Sequence, residues 1–204
     1  MGKINYPLDK IDLTRFFWIN QPNYFRLKNN RLTVITDPGT DFWQRTYYGF
    51  QNDNGHAFVS EINGDFTFSV KTRFKAEYQY DQCGIMLYHN ADNWVKASVE
   101  NENKECARLG SVVTNLGYSD WASTDISAHI HSVSYHFSRK DQDFLIEYSF
   151  DDVHFTQMRI FHIDVELPLA RIGVYACSPL NSSFKAEFSD FKLGACQWQN
   201  HQTE

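Results

Sequence analysis

Apolar and polar residues alternate with a period of two along much of this chain, and this pattern constrains the fold more than any other sequence feature. Phe66, Phe68 and Val70 share one parity, while Thr67 and Ser69 share the other. Such alternation predicts a β-strand with one solvated face. Asn63-Gly64 supplies positive-φ residues for a tight turn, which predicts that residues 57–62 pair with this strand as a hairpin.

Similar patterns predict many further strands and no long helix. The predicted strands cover residues 32–36, 43–48, 84–88, 94–100, 111–115, 133–138, 144–150, 155–161, 171–176 and 184–193. No segment carries the i, i+3, i+4, i+7 apolar stripe of a capped helix. Many strands without crossover helices favour antiparallel pairing in a sandwich, a jelly roll or a barrel. Because all-β units of this size ordinarily form one core, residues 1–204 are predicted to be a single domain.

Charge and terminal sequence argue against several classes of partner and location. The formal net charge is −6, and no run of Lys or Arg could neutralise a row of phosphates, so nucleic acid is not expected. Residues 1–13 lack a basic and then apolar leader, and no segment reaches the roughly 20 apolar residues of a membrane span. Tyr6 occupies the position where a myristoylation signal has Ser or Thr. We therefore expect a cytoplasmic protein without membrane contact.

Cysteine and motif content predicts neither a cofactor nor a metal. Cys83, Cys106, Cys177 and Cys196 are widely spaced without a C-x-x-C pair, which favours free thiols. Phosphate-binding glycine loops, a G-x-S-x-G elbow and a catalytic-cysteine signature are missing. His129-x-His131 would place two imidazoles on one strand face, but a third ligand is lacking because His136 occupies the neighbourhood where a Glu would be expected.

On two strands, the face opposite the core carries residues that differ from those of an ordinary solvated surface. In strand 94–100 the core face is Val95, Ala97 and Val99, and the opposite face presents Trp94, Lys96, Ser98 and Glu100. Strand 171–177 repeats the arrangement, with Tyr175 on the outward parity. Aromatic faces and hydrogen-bonding groups together suit sugars. The same residue types are also common on solvated sheets, so this pattern alone leaves both interpretations open.

Several sequence blocks resemble one known family. They are Thr40-Asp41-Phe42-Trp43-Gln44-Arg45-Thr46-Tyr47-Tyr48-Gly49-Phe50, Asp53-Asn54-Gly55-His56, Tyr80-Asp81-Gln82-Cys83-Gly84-Ile85-Met86, Trp94-Val95-Lys96 and Tyr118-Ser119-Asp120-Trp121. The chain is similar, from about Trp18 to Phe191, to the domain-of-unknown-function family that includes the regulation-of-enolase proteins, in the concanavalin A-like lectin/glucanase superfamily. Cys83 replaces a small residue of the family pattern, and Asp152 and Phe155 replace the Gly and Trp of its Ser-x-Asp-Gly-x-x-Trp turn.

The resemblance implies a concanavalin A-like jelly-roll β-sandwich of two curved antiparallel sheets with a concave ligand groove. Its groove candidates in this chain are Trp43, Arg45, His56, Gln82, Lys96, Glu100, Trp121 and Tyr175. Of these, Trp43, Trp121 and Tyr175 are expected to stack on a ligand. The polar members Arg45, Gln82, Lys96 and Glu100 are expected to bind hydroxyl or carboxylate groups.

Catalysis has one candidate residue and an incomplete motif. The glucanase branch of the superfamily uses Glu-x-Asp-x-Glu on one strand, and this chain has no such run. Glu100-x-Glu102 has an acceptable spacing but leads into a polar turn. Glu100 remains the best catalytic candidate, for example as a general base in a lyase or isomerase.

The sequence therefore leaves three functions possible. The leading hypothesis is a cytosolic protein that binds a carbohydrate or a small polyol-like metabolite in the groove without hydrolysis. The second is a regulatory or scaffolding protein that docks a metabolic enzyme through an exposed aromatic surface. The third is a glycosidase or lyase that uses Glu100.

Overall fold

The structure is a computed structural model that describes residues 7–199, and almost all of its regular secondary structure is β-strand. One short 3₁₀ helix, Leu13–Arg15, is capped by the Asp12 carboxylate, which accepts from the Thr14 N–H at 3.0 Å. Tyr6, which occupies the Ser or Thr position of a myristoylation signal, lies outside the described residues. Within residues 7–199, no helix has the length and apolar character needed to cross a membrane.

One of the two large sheets, called the back sheet below, has eight antiparallel strands. Seven follow the spatial order β15 (Thr156–His162), β14 (Asp143–Ser149), β13 (Ser132–Lys140), β8 (Phe66–Lys75), β17 (Lys185–Gly194), β4 (Arg31–Ile35) and β3 (Tyr24–Lys28). The eighth, β1 (Asp9–Lys10), pairs with the end of β17.

The other large sheet, called the front sheet, has seven antiparallel strands. Their order is β12 (Tyr118–Ser127), β11 (Cys106–Asn115), β10 (Asn93–Asn101), β9 (Gln82–Asn90), β16 (Ala170–Cys177), β7 (His56–Ile62) and β2 (Phe17–Ile19). A separate short hairpin, β5 (Phe42–Gln44) with β6 (Gln51–Asp53), lies outside both sheets.

The main core fills the space between the two sheets. Its largest fully buried side chains include Phe68, Tyr135 and Phe188, and it contains Val95 and Val174 from the inward parity of the front sheet. Because the period of a strand is two, the opposite parity of the same strands points away from this core. This confirms the prediction of which residues of strands 94–100 and 171–176 face the core. The predicted sandwich of two antiparallel sheets is also confirmed.

The predicted hairpin between residues 57–62 and the following strand is wrong. β7 pairs with β16 and β2 in the front sheet, whereas β8 pairs with β13 and β17 in the back sheet. Gly64 does adopt a positive φ of 70°, as a turn requires. That turn carries the chain from one sheet to the other, and local sequence cannot distinguish such a corner from a hairpin.

The predicted strand at 43–48 is correct only at its start. Regular pairing ends at Gln44, and Arg45 and Tyr47 adopt left-handed conformations with φ of 55° and 61°. The sequence patterns also missed β3, β6 and β12, because the side chains of β3 and β12 are largely exposed on both parities and those of β6 are exposed or half-buried. Exposure of this kind removes the apolar alternation on which the prediction depends.

The outer faces of the two sheets differ in chemistry. The back sheet carries many cations on its outer face, among them Arg26, Lys28, Arg31, Lys71, Arg73, Lys75, Lys185 and Lys192. Of these, only Lys71 (with Asp152) and Lys185 (with Glu187) form ion pairs within residues 7–199. On the front sheet, by contrast, part of the outer face is buried under the β5–β6 hairpin in a second apolar cluster that includes Phe42, Trp94 and Tyr175.

The four cysteines are free thiols, as predicted. His129 and His131 lie in the turn between β12 and β13 and not on a strand face. In the described part of the chain, no group of three or more His, Cys, Asp or Glu side chains could hold a metal ion. His136 instead stacks on Phe155 with ring centroids 3.7 Å apart, and burial lowers its pKa to about 4.

Candidate functional site

A cleft of about 450 Å³ opens on the outer face of the front sheet, between that sheet and the β5–β6 hairpin. Its floor carries Gln82, Lys96 and Glu100 from β9 and β10. Its walls are mainly aromatic. A shallow hollow of about 510 Å³ lies on the back sheet around Arg26 and Arg31, but it has no aromatic lining and no buried polar group. The cleft is therefore the better candidate site.

The hairpin and its turn, residues 41–53, form a flap over one side of the cleft. The turn is tight because the Arg45 N–H donates to Phe50 O at 2.6 Å and the Gly49 N–H donates to Arg45 O at 2.7 Å. Inside the same turn, Trp43 Nε1 donates to Thr46 O at 3.0 Å. These bonds compensate for the positive φ of two non-glycine residues and give the aromatic side chains of the flap fixed positions.

Several hydrogen bonds fix the flap to the front sheet and its turns. Arg45 donates to Asp92 Oδ1 at 2.8 Å and to Gly117 O at 2.9 Å. Ser119 Oγ accepts from the Gln44 N–H at 2.9 Å, and Tyr88 Oη donates to Asp53 Oδ2 at 2.8 Å. The guanidinium of Arg45 is therefore committed to holding the flap, which explains why it does not line the cleft.

Lys96 is the central group of the floor and is almost completely buried, with 4% of its surface exposed. Its ammonium group donates to Phe42 O at 2.7 Å, to Gln82 Oε1 at 3.0 Å and to Asp41 Oδ1 at 3.4 Å. Its Nζ also lies 5.7 Å from the ring centroids of Trp94 and Tyr175. A buried cation requires partners of this kind to offset the loss of its hydration.

Gln82 connects Lys96 to Glu100. Its Oε1 accepts from Lys96 and from Tyr175 Oη at 3.0 Å, and its Nε2 donates to Glu100 Oε2 at 2.9 Å and to Tyr80 O at 3.2 Å. Every donor of the amide is used. This network fixes which end of the amide faces which neighbour and holds Glu100 in place.

Glu100 is the carboxyl group of the floor with the most strongly perturbed acidity. Burial raises its pKa to about 7, and the nearby charges of Asp41 and Glu102 add to that effect while Lys96 opposes it. Glu102, two residues further on, accepts from Arg108 Nε at 3.1 Å and from Gln79 Nε2 at 2.9 Å. It does not line the cleft, so Glu100 and Asp41 are the carboxyl groups that face a ligand there.

Aromatic side chains form the walls. Tyr48 stacks on Phe50 with ring centroids 5.5 Å apart and meets the edge of Trp43 at 5.6 Å. Trp121, which is 40% exposed, also lines the cleft and passes over Gly110, where any Cβ would come within 3.0 Å of its Nε1. The apolar faces of these rings are available to a flat ligand.

Tyr80 completes the wall at the end of the cleft that Leu180 also lines. The buried Asp81 carboxylate orders this region, because it accepts from the Tyr78 N–H at 3.1 Å and from Ser182 Oγ at 2.9 Å. Two loops distant in sequence are thereby tied together at the cleft.

Five of the eight predicted site residues come together in the cleft: Trp43, Gln82, Lys96, Glu100 and Trp121. The other three do not, and this corrects the predicted set. His56 is buried, with Nε2 accepting from the Asp37 N–H at 3.1 Å and Nδ1 donating to Asn20 O at 2.8 Å. Tyr175 is only 1% exposed and lies beneath the floor, where it cannot stack on a ligand. Arg45 holds the flap.

The sequence patterns missed several lining residues, namely Asp41, Tyr48, Phe50, Asn52, Tyr80, Val112, Pro179 and Leu180. Asp41, Tyr48, Phe50 and Tyr80 lie inside blocks that carried the family resemblance, so a signal for them was present. For Pro179 and Leu180 no comparable signal exists, because contacts with segments distant in sequence place them at the cleft, among them the Ser182–Asp81 bond and the bond from the Gly39 N–H to Leu180 O.

Comparison with known proteins gives a consistent assignment. A family model described as "Protein of unknown function (DUF1349)" matches residues 18–196. Regulation of enolase protein 1 of Saccharomyces cerevisiae is 30% identical over 184 residues, which are 90% of this chain and 91% of the relative. A crystal structure of a functionally unknown protein from Saccharomyces cerevisiae superposes with a TM-score of 0.85 at 30% identity and covers 91% of this chain and 98% of that one.

More distant structures share the fold alone. The GH43 protein BlXynB from Bacillus licheniformis superposes with a TM-score of 0.70 at 16% identity, over 92% of this chain and 38% of that chain. Together, these likenesses confirm the predicted concanavalin A-like β-sandwich.

Proposed function

This chain belongs to the DUF1349 family, and from the geometry of its cleft we propose that it binds a carbohydrate or a small polyol-like metabolite without hydrolysing it. One observation supports the proposal above others. The exposed rings of Tyr48 and Trp121 and the half-buried ring of Trp43 line the same cleft as the Glu100 carboxyl group, which a fixed network holds at the floor. Rings that pack on C–H faces and a polar group that binds hydroxyls are what a sugar requires.

The network around the floor supports binding in preference to hydrolysis. A glycosidase needs two carboxyl groups on either side of the scissile bond, one as acid and the other as base or nucleophile. Glu100 has the raised pKa of an acid. Asp41 is engaged by the Phe42 N–H at 2.7 Å and by Lys96, and Glu102 is turned towards Arg108. A glycosidase or lyase that uses Glu100 is the alternative, and turnover that disappears in Glu100→Gln would support it.

A glycan panel with two matched variants tests the proposal. Wild-type protein is expected to bind at least one member by isothermal titration calorimetry. Trp121→Ala removes a half-exposed ring from the wall and should weaken that binding by about tenfold or more. Tyr118→Ala removes a 63% exposed ring from the same strand outside the cleft, so it should bind like wild type. A panel without any bound member, or wild-type affinity in Trp121→Ala, would contradict the proposal.

Docking of a metabolic enzyme is the second candidate function, and a specific feature favours it. Tyr47 is 93% exposed at the tip of the flap, in a turn that hydrogen bonds hold in one conformation. Exposed aromatic residues on an ordered turn are common in protein interfaces. The name of the yeast relative suggests enolase as the partner, and a cytoplasmic location would suit this role as well as the binding of a metabolite.

Purified enolase is the probe for this second candidate. If the flap docks the enzyme, wild-type protein should form a defined complex in analytical ultracentrifugation, and Tyr47→Ala should weaken it by roughly tenfold. Tyr24→Ala, which removes a 55% exposed ring from the back sheet, serves as the control. No complex at micromolar concentrations, or equal losses in both variants, would remove the flap from consideration.

A further inference from the structure

We propose that the cleft selects a ligand that carries a protonated amine, and that its preferred ligand is an amino sugar. This inference deepens the sugar-binding function proposed above and rests on it. It comes from the hydrogen-bond inventory of the floor, the charge of the lining residues and the aromatic walls.

The floor offers acceptors to a ligand and has already used its best donors. Lys96 has three N–H groups and three acceptors, which are Phe42 O, Gln82 Oε1 and Asp41 Oδ1. Gln82 has two amide N–H groups, and they go to Tyr80 O and Glu100 Oε2. A ligand acceptor would have to displace one of these bonds inside a buried network, which costs the full desolvation of the group left unpaired.

Acceptor atoms remain available on the same floor. Glu100 Oε1 and Asp41 Oδ2 have no hydrogen-bond partner within residues 7–199. Both belong to carboxyl groups that line the cleft. Hydroxyl and ammonium groups can donate to them, whereas a sugar acid or a phosphorylated sugar would bring negative charge against them.

The charge balance of the cleft further favours a cation. The ionisable carboxylic and basic residues that line it are Asp41, Glu100 and Lys96. Lys96 pairs with Asp41, which leaves the charge of an ionised Glu100 unbalanced. Arg108 lies 5.7 Å from the ring of Trp121, but its guanidinium is paired with Glu102. A ligand ammonium that reaches Glu100 would gain a charge-assisted hydrogen bond, which is about twice as strong as one between neutral groups.

The walls add a second attraction for the same group. Trp43, Tyr48, Phe50, Tyr80 and Trp121 present aromatic rings around the cleft. A cation over the face of such a ring is attracted by its quadrupole, most strongly where water is excluded. One ligand thus satisfies all three observations if it combines a sugar ring, which packs on the walls, with an amine that faces Glu100.

The test compares two trisaccharides that differ only at the amine. Chitosan trimer carries free amines, and its N-acetylated counterpart has the same rings without the positive charge. By calorimetry near pH 7, wild-type protein is expected to bind the free-amine trimer at least about tenfold more tightly.

Two matched variants identify the group responsible. Glu100→Gln keeps the shape and an acceptor for Gln82 but removes the charge, so it should abolish the difference between the two trimers. Glu102→Gln removes a charge two residues away that faces Arg108 instead of the cleft, and it should preserve the difference. Circular dichroism and a melting curve on each variant confirm that both are folded.

The outcomes separate this inference from the function on which it rests. Equal affinity for the two trimers, tighter binding of the acetylated trimer, or a preference that survives in Glu100→Gln would overturn the amine selectivity and leave sugar binding intact. Failure of both trimers while a neutral glycan from the panel binds would also overturn it. If no glycan binds at all, the proposed sugar-binding function fails together with the inference.

Discussion

Glu100 shows how one buried carboxyl group links the stability of this protein to its site. Its folded-state pKa of about 7 lies above the ordinary value of 4.5 because burial disfavours the charged form. The unfolded chain therefore releases this proton at lower pH than the folded protein does. Between about pH 4.5 and 7 the folded state binds more protons, so this residue lowers the free energy of unfolding as the pH rises.

We predict that Glu100→Gln stabilises the protein at high pH. A neutral amide avoids the cost of burying a charge, and the difference in free energy of unfolding from wild type should grow from near zero at about pH 4.5 to about 1–3 kcal/mol at pH 8. Urea unfolding at several pH values measures it. A difference that is independent of pH would show that Glu100 has an ordinary pKa. The predicted stabilisation of Glu100→Gln would also remove poor folding as an explanation for lost binding in this variant.

Single residues also show where sequence reasoning about the site succeeds and fails. Lys96 and Glu100 could be identified because they share a strand, where parity alone separates the core face from the other face. Strand parity could not identify Asp41, because it reaches Lys96 from a position 55 residues away in the chain; only the family resemblance covered it. Tyr175 had the correct parity, yet a ring on the outer face of a sheet is buried when another segment covers it, and the covering flap was not predicted.

At the scale of elements, the flap is the part of the site that depends least on the sandwich. It pairs with neither large sheet, and it is held by Arg45, by the Ser119–Gln44 bond, by the Tyr88–Asp53 bond and by Phe42 in the second apolar cluster. Elements held by a few contacts open locally at a smaller free-energy cost than the core strands do. Opening of the flap would remove one aromatic wall of the cleft.

Arg45→Ala is expected to loosen the flap without unfolding the protein. Loss of the bonds to Asp92 and Gly117 should speed hydrogen exchange at the backbone amides of Phe42 and Gln44 by about tenfold, while β8 and β13 keep wild-type protection. Exchange followed by mass spectrometry provides the measurement. Arg171→Ala, which removes a surface ion pair with Glu61 in the front sheet, is the control. Uniform acceleration in every strand would mean that Arg45 supports the whole fold.

Two errors at this scale have a common cause. The sequence predicted a strand where Arg45 and Tyr47 adopt left-handed backbone conformations, and it predicted a hairpin where Asn63-Gly64 carries the chain between the sheets. Both depend on contacts with distant segments. Local pattern and turn chemistry were compatible with either outcome, and tertiary packing decided between them.

At the scale of the whole molecule, the fold class was predictable and the shape of the site was not. Period-two alternation without helical stripes leads to an antiparallel all-β fold, and the family resemblance implied the two-sheet sandwich; both sheets are present. The cleft depends on a hairpin outside the sheets and on loops that meet through Asp81 and Ser182. The alternation of side chains between the two faces of a sheet predicts neither arrangement.

The cationic outer face of the back sheet has a practical consequence. Five of the ten lysines of the chain, Lys28, Lys71, Lys75, Lys185 and Lys192, lie there, on the side of the molecule opposite the cleft. Lys96 is enclosed by its acceptors and is therefore poorly accessible to reagents. Random amine coupling to a biosensor chip or a resin can thus attach the protein by the back sheet, an orientation that leaves the cleft open to solutes in the flow.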